Sequence, residues 1–182
     1  MVKRERPAEY AILGLLYLNQ HGGHGYDLAR QFGPGEPLGE ILHLEPGMLY
    51  HHLKRLERNG WLTSDMAQEG LRPRKQVYRI SSDGEAELQR WLQAPVEHTR
   101  EIRLEFLVKL YFARQLDLKI AETLLQSQRA MLHALLAQLD APSQTSHQDH
   151  SQDDRAFLNS VVALRRIQTG AALEWLNSLD SQ

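Results

Sequence analysis

The stretch that decides the reading is EPGMLYHHLKRLERN, Glu45–Asn59. Pro46 suits a first helical turn, where its missing N–H costs nothing, and Asn59-Gly60 supplies a C-terminal stop. At about 100° per residue, Leu49, Leu53 and Leu56 fall within about 60° of one another and make a buried stripe. The opposite face carries Gly47, His51, Lys54 and Arg58, with Tyr50 and Arg55 on its flanks. Such a helix is anchored by leucines and presents donors and cations outward.

Immediately downstream, Trp61–Met66 and Gln76–Ile80 are rich in β-branched or aromatic residues and read as strands. They bracket AQEGLRPRK, residues 67–75, whose glycine, proline and three cations mark a basic hairpin tip. Ser82-Asp83-Gly84-Glu85 is a capping box opening a helix to about Leu92, and Ala94-Pro95 closes the unit. Upstream, AEYAILGLLYLN (8–19) aligns Ala11, Leu15 and Leu18 with Ile12 and Leu16 beside them, a buried helix. HGGHG breaks that pattern, a short helix over Tyr26–Phe32 follows, and GPGEPLG reads as a loop. Ile41–Leu44 is a brief apolar run, read as one short strand.

Two helices, an anchored helix and a basic hairpin, in that order, predict a winged helix-turn-helix. A helix about 10–12 Å across fits the B-DNA major groove, while a basic wing reaches phosphates alongside. On this reading Tyr50, His51, Lys54, Arg55 and Arg58 are DNA contacts from the helix, and Arg72, Arg74 and Lys75 supply the wing contacts.

The rest of the chain has a helical pattern. Arg100–Arg114 keeps Leu104, Leu107, Val108 and Tyr111 in register. Leu118, Ala121, Leu125, Leu132, Leu135 and Leu139 recur in steps of three and four, with only Gln128 breaking the seam. Residues 141–154 are polar and turn-rich, and Phe157–Leu179 resumes the helix. The expected fold is therefore mostly α, with a winged-helix DNA-binding domain over 1–94 and a helical dimerisation region over 95–182. The dimer would be two-fold and built from Leu158, Val161, Leu164, Ala171, Trp175 and Leu176. One winged domain cannot cover two long apolar stripes.

Bulk properties set limits. With 182 residues, 42% hydrophobic and 24% charged, the chain is globular rather than disordered. It has no cysteine, which excludes disulfides, thiolate zinc sites and cysteine nucleophiles. No apolar run suits a signal or a membrane span, so a cytoplasmic location without membrane contact is expected. The net charge of −2 lends DNA binding no support, although Leu44–Arg79 carries 7 basic and 4 acidic residues. A winged-helix protein-interaction module that does not bind DNA is therefore the alternative.

Nine histidines raise a metal question. His21 with His24, and His147 with His150, lie in turns or polar loops without the fixed scaffold of a structural site. His51 and His52 point about 100° apart on one helix. Neither a metal nor a cofactor is expected. Glu101 and Glu105 sit at i,i+4 beside Arg100, Arg103 and Lys109 and read as surface ion-pair partners. No phosphate loop, GxSxG elbow or HExxH pair occurs, so no enzyme is expected.

ILGLL (12–16), HGYDLA (24–29), PGMLYHHLKRLERNGWL (46–62) and RKQVYRISSDGEAEL (74–88) resemble the PadR-type regulators. REIRLEFLVKLYFA (100–113) is similar to the first C-terminal helix of the longer members. Met48 stands where threonine is usual and His51 where proline is usual, so the base preference of this helix is its own. The resemblance implies a transcriptional regulator, a repressor relieved by a small effector, bound to a pseudo-palindromic duplex operator. It also implies an aromatic effector near the domain junction or dimer interface, for which Tyr111, Phe112 and Trp175 are the candidate residues.

Overall fold

A computed structural model describes residues 7–20, 22–67, 75–141 and 151–179. Helix α1 (Pro7–Leu18) is apolar nearly all round, with Tyr10, Ala11, Ile12, Leu13 and Leu16 buried. A helix of that kind needs partners on every side. It finds them in α4 (Pro46–Arg58), β3 (Lys75–Ile80), α5 (Ser82–Gln93) and α6 (Leu107–Leu116).

The sheet has three antiparallel strands in the order β1-β3-β2, with β1 at Gly23–His24 and β2 at Leu62–Ala67. The expected hairpin is present, in register from Leu62↔Ile80 to Ala67↔Lys75. Strand β1 was not foreseen. The HGGHG break is extended at Gly23 and His24 and pairs with Tyr78 and Val77, covering an edge of β3 that would otherwise stay open.

Helix α2 is Gly25–Arg30, one residue earlier at its start than the pattern suggested. The GPGEPLG loop is corrected: Pro37–Ile41 forms α3, with Glu36 extended at the N-cap and Pro37 preset for the first turn. A Cβ at Gly39 would collide with the Gly33 carbonyl, so this glycine permits packing rather than a bend. Ile41–Leu44 forms no strand; Ile41 ends α3 and Leu42 merely leaves it in extended conformation.

Helix α4 stops as its sequence suggests. Gly60 takes φ +74, its N–H bonds the Glu57 carbonyl, and Trp61 N–H bonds the Leu56 carbonyl, both at 3.0 Å. The cap of α5 moves one residue earlier than expected. Ser81 Oγ accepts from Gly84 N–H at 3.1 Å and donates to the Gly60 carbonyl at 2.6 Å. At Gly84 any Cβ would strike the Trp61 carbonyl, so this glycine lets the first turn of α5 pack against Trp61.

Two apolar cores result. The first gathers α1, α4, α5 and the sheet around residues such as Leu13, Leu53 and Trp91. The second lies among the π-helical turn Ile102–Phe106, α7 (Leu118–Asp140) and α8 (Gln152–Ser178). Helix α6 serves both, sending Val108 and Phe112 to the first and Leu110 and Ala113 to the second. Phe112 lies so close to α1 that a Cβ at Gly14 would sit 2.6 Å from its ring.

The junction between the cores is held by buried polar groups. Lys109 is fully buried; its Nζ donates to the Ala94 carbonyl at 2.8 Å, meets Glu105 at 3.2 Å and lies 4.9 Å from the Trp91 ring centre. Trp91 Nε1 also donates to Glu105, at 3.0 Å. Glu105 and Lys109 are thus interior groups, not the surface pair that spacing suggests. Gln128 is buried as well and is no defect in the seam: it accepts from Val96 N–H (2.7 Å) and donates to Val96 O (3.0 Å). Within the seam Ala121, Leu125 and Leu132 are buried, whereas Leu118 is exposed. No described helix is long and apolar enough to cross a membrane.

Candidate nucleic-acid interface

Helix α4 spends its leucines inward: Leu49, Leu53 and Leu56 are completely buried. Burying a leucine contributes about 1.5–3 kcal/mol, enough to hold the helix firmly on α1. Gly47, Met48, Tyr50, His51, Lys54 and Arg58 are left in water as one continuous face. Tyr50 is pinned at one edge of it, close enough to α2 that a Cβ at Gly25 would lie 2.6 Å from the ring.

Arg55 lies elsewhere. Its guanidinium is ion-paired with Glu9 of α1, and His52 Nδ1 is 3.1 Å from the same carboxylate oxygen. Glu9 and His52 are both buried. This cluster ties α4 to α1 and was missed in the sequence, because Glu9 sits on an otherwise apolar helix surface. The one signal was Arg55 itself, placed on the flank between buried and exposed faces.

A second polar chain orients the hairpin. Ser64 Oγ of β2 donates to Glu57 at 2.6 Å, and Gln76 Nε2 of β3 donates to Ser64 Oγ at 2.9 Å. Glu57 is thereby linked to β2 directly and to β3 only through Ser64. Burial, with Glu57 nearby, raises the Tyr78 phenol above its ordinary value, so it stays neutral. Across the sheet surface Arg79 pairs with Asp65 at 3.0 Å. Lys75 opens β3 opposite Ala67, while Arg72 and Arg74 fall outside the described residues.

The other candidate residues divide. Tyr111 and Phe112 meet edge to face, 5.0 Å between centres, and belong to the first core. Trp175 meets Phe106 in the second core, so the three aromatics do not line one site. On α8, Leu158, Leu164 and Ala171 are exposed and Val161 is half-buried. Leu176 is fully buried and Trp175 half-buried within the second core, facing this chain's own α7 side. His147 and His150 lie outside the described residues, and among those described no three of His, Asp or Glu gather as metal ligands.

A family model described as the transcriptional regulator PadR-like family matches residues 12–90, the unit that contains α4 and the hairpin. The negative transcriptional regulator PadR of Bacillus subtilis is 32% identical over 136 residues, 74% of this chain and 71% of that one. The chain belongs to the PadR-like family of transcriptional regulators. A second model, the C-terminal region of virulence activator alpha, matches residues 102–181 of this PadR-like chain. A probable transcriptional regulator of Mycobacterium tuberculosis is 29% identical over 91% of this chain and 92% of its own length. The structure of Bacillus subtilis PadR in complex with operator DNA aligns over 96% of this chain and 97% of that one, at 28% identity and a TM-score of 0.47. The same protein in complex with p-coumaric acid aligns over 96% of both chains, at 28% identity and a TM-score of 0.42.

Proposed function

We propose that this PadR-like chain represses transcription by binding duplex operator DNA as a two-fold homodimer. Residues 1–94 form the DNA-binding domain and 95–182 the dimerisation region. The observation that carries the reading is α4, with its leucines buried and Met48, Tyr50, His51, Lys54 and Arg58 facing water beside a hairpin with a basic tip. His51, Lys54 and Arg58 enter the major groove or meet its walls, and Tyr50 donates to a phosphate. Arg72, Arg74 and Lys75 extend these contacts from the wing. Arg55, paired with Glu9, holds the helix rather than touching DNA.

The apolar stripe of α8 supports the dimer. Phe157, Leu164 and Ile167 are 69%, 55% and 70% exposed in one chain, and a second copy covers them. Two-fold pairing sets two recognition helices about 34–36 Å apart on a pseudo-palindromic operator. Repression follows the Bacillus subtilis relative, a negative regulator by name, at 32% identity. That relative has also been solved with p-coumaric acid, and release by a small effector is proposed here on the same sequence likeness. Fluorescence anisotropy on duplexes from the region upstream of its own gene, across a salt series, tests the reading. Affinity should fall linearly on a log–log plot. If Arg72→Ala, Arg74→Ala and Lys75→Ala together leave affinity and slope unchanged, the wing assignment is wrong.

A further inference from the structure

Among the described residues, each glycine either takes a positive φ or faces atoms that a Cβ would press upon, except Gly47 and Gly170. At both of these a Cβ would meet nothing within 4 Å. Gly170 lies on α8, the helix that the proposed dimer covers. Gly47 lies exposed in the first turn of α4 and has no positive φ. Glycine gives up more backbone freedom on folding than any other residue, so a helical glycine needs a reason. The chain itself supplies none here. At about 100° per residue, Gly47 falls within about 40° of His51, Lys54 and Arg58, at the centre of the outward face. Met48 is the second residue that the fold does not use. It is 50% exposed, about 60° round the helix from His51, and belongs to neither apolar core. The other large side chains left in water on this face, Tyr50, His51, Lys54 and Arg58, all carry hydrogen-bonding groups. Leu49 beside it is fully buried, which fixes the rotation of the helix and hence the place of Met48.

In helix-turn-helix docking the first turns of the recognition helix meet base edges in the major groove, and a position without a side chain there lets the helix come closer. The apolar feature of that groove is the thymine 5-methyl group. An unbranched, polarisable thioether chain adapts well to such a surface. We propose that Gly47 and Met48 are the sequence-reading tip of α4. Gly47 lets the first turn seat against the base edges, and Met48 lays its side chain on a thymine 5-methyl group in each half-site. Both roles rest on the DNA-binding reading above, and they add to it the base that the helix selects.

The test begins with duplexes that the full-length protein selects from a library randomised over both half-sites. The tightest is remade with deoxyuridine at one thymine at a time, which deletes a methyl and leaves every hydrogen-bonding group in place. Fluorescence anisotropy should find one thymine per half-site where the wild-type chain loses about three- to fivefold in affinity, the worth of one buried methyl. Met48→Ala should bind the thymine and deoxyuridine duplexes alike, Met48→Leu should keep the preference, and neither should change the salt slope. Gly47→Ala should bind roughly five- to hundredfold more weakly, the scale of one overpacked contact, while its unfolding midpoint holds or rises. A wild-type chain indifferent to every deoxyuridine, or a Met48→Ala chain with an unchanged preference, would overturn the proposal. So would a Gly47→Ala chain with full affinity, or one with a lowered midpoint, since the glycine would then serve the fold. Those outcomes leave the DNA-binding reading intact. Absence of salt-sensitive binding to any duplex in the library would instead overturn the proposed function, and the tip would fall with it.

Discussion

Helices α4 and α8 are both amphipathic, yet they end in opposite states. Helix α4 buries its whole leucine stripe inside its own domain and leaves a polar, cationic face free. Helix α8 buries only Thr169, Leu173 and Leu176 near its C-terminal end and leaves Phe157, Leu164 and Ile167 in water. One helix is complete within a single chain and offers chemistry to a partner of another kind. The other is incomplete alone, and its missing surface is apolar. On the proposed function, the difference separates two tasks: holding a charged face rigid, and pairing with a second copy.

The seam between these regions should be the most sensitive place. Lys109→Ala leaves Glu105 in the interior without its cation and should cost about 3–5 kcal/mol in denaturant unfolding. A loss below about 1 kcal/mol would mean that the two regions are not coupled through this pair. Leu53→Ala, which attacks the closed stripe of α4, should cost about 2–5 kcal/mol through the cavity it leaves. Gln128→Leu fits the seam of α7 by polarity but strips Val96 of both backbone partners, and should cost about 1–3 kcal/mol by thermal unfolding. An equally stable leucine variant would show that the clasp is ornamental.

On α8 the expectation reverses. Leu164→Glu with Ile167→Glu should change the stability of the isolated fold by no more than about 0.5 kcal/mol, as for other exposed positions. Sedimentation should nonetheless move toward monomer, and operator affinity should fall. A wild-type chain that stays monomeric at micromolar concentration would break the contrast between the helices. The smallest effects belong to the free face of α4. Lys54→Ala and Arg58→Ala should each lower the salt slope of DNA binding by about one ion while leaving stability unchanged.

Much of the fold was legible because helical spacing is local. Leu49, Leu53 and Leu56 had to share a face, and Asn59-Gly60 had to end their helix, whatever packed against them. The face of α4 was legible for the same reason, save Arg55, whose direction was set by a carboxylate 46 positions earlier in the chain. Pro37–Ile41 was misread because proline and glycine signal loops on average. Here the proline starts a turn and Gly39 lets two backbone segments touch.

The sequence by itself determined the longer helices, the hairpin, the cationic face of α4 and the apolar surplus of the C-terminal half, since each follows from side-chain period and composition. Only the tertiary structure decided where buried polar groups find partners: Glu9 with Arg55 and His52, Lys109 with Glu105 and Ala94, Gln128 with Val96, and β1 with β3. The physical reason is range. Hydrophobic period is written every three or four residues, whereas a buried charge or amide survives only beside a complement that distant chain brings to it.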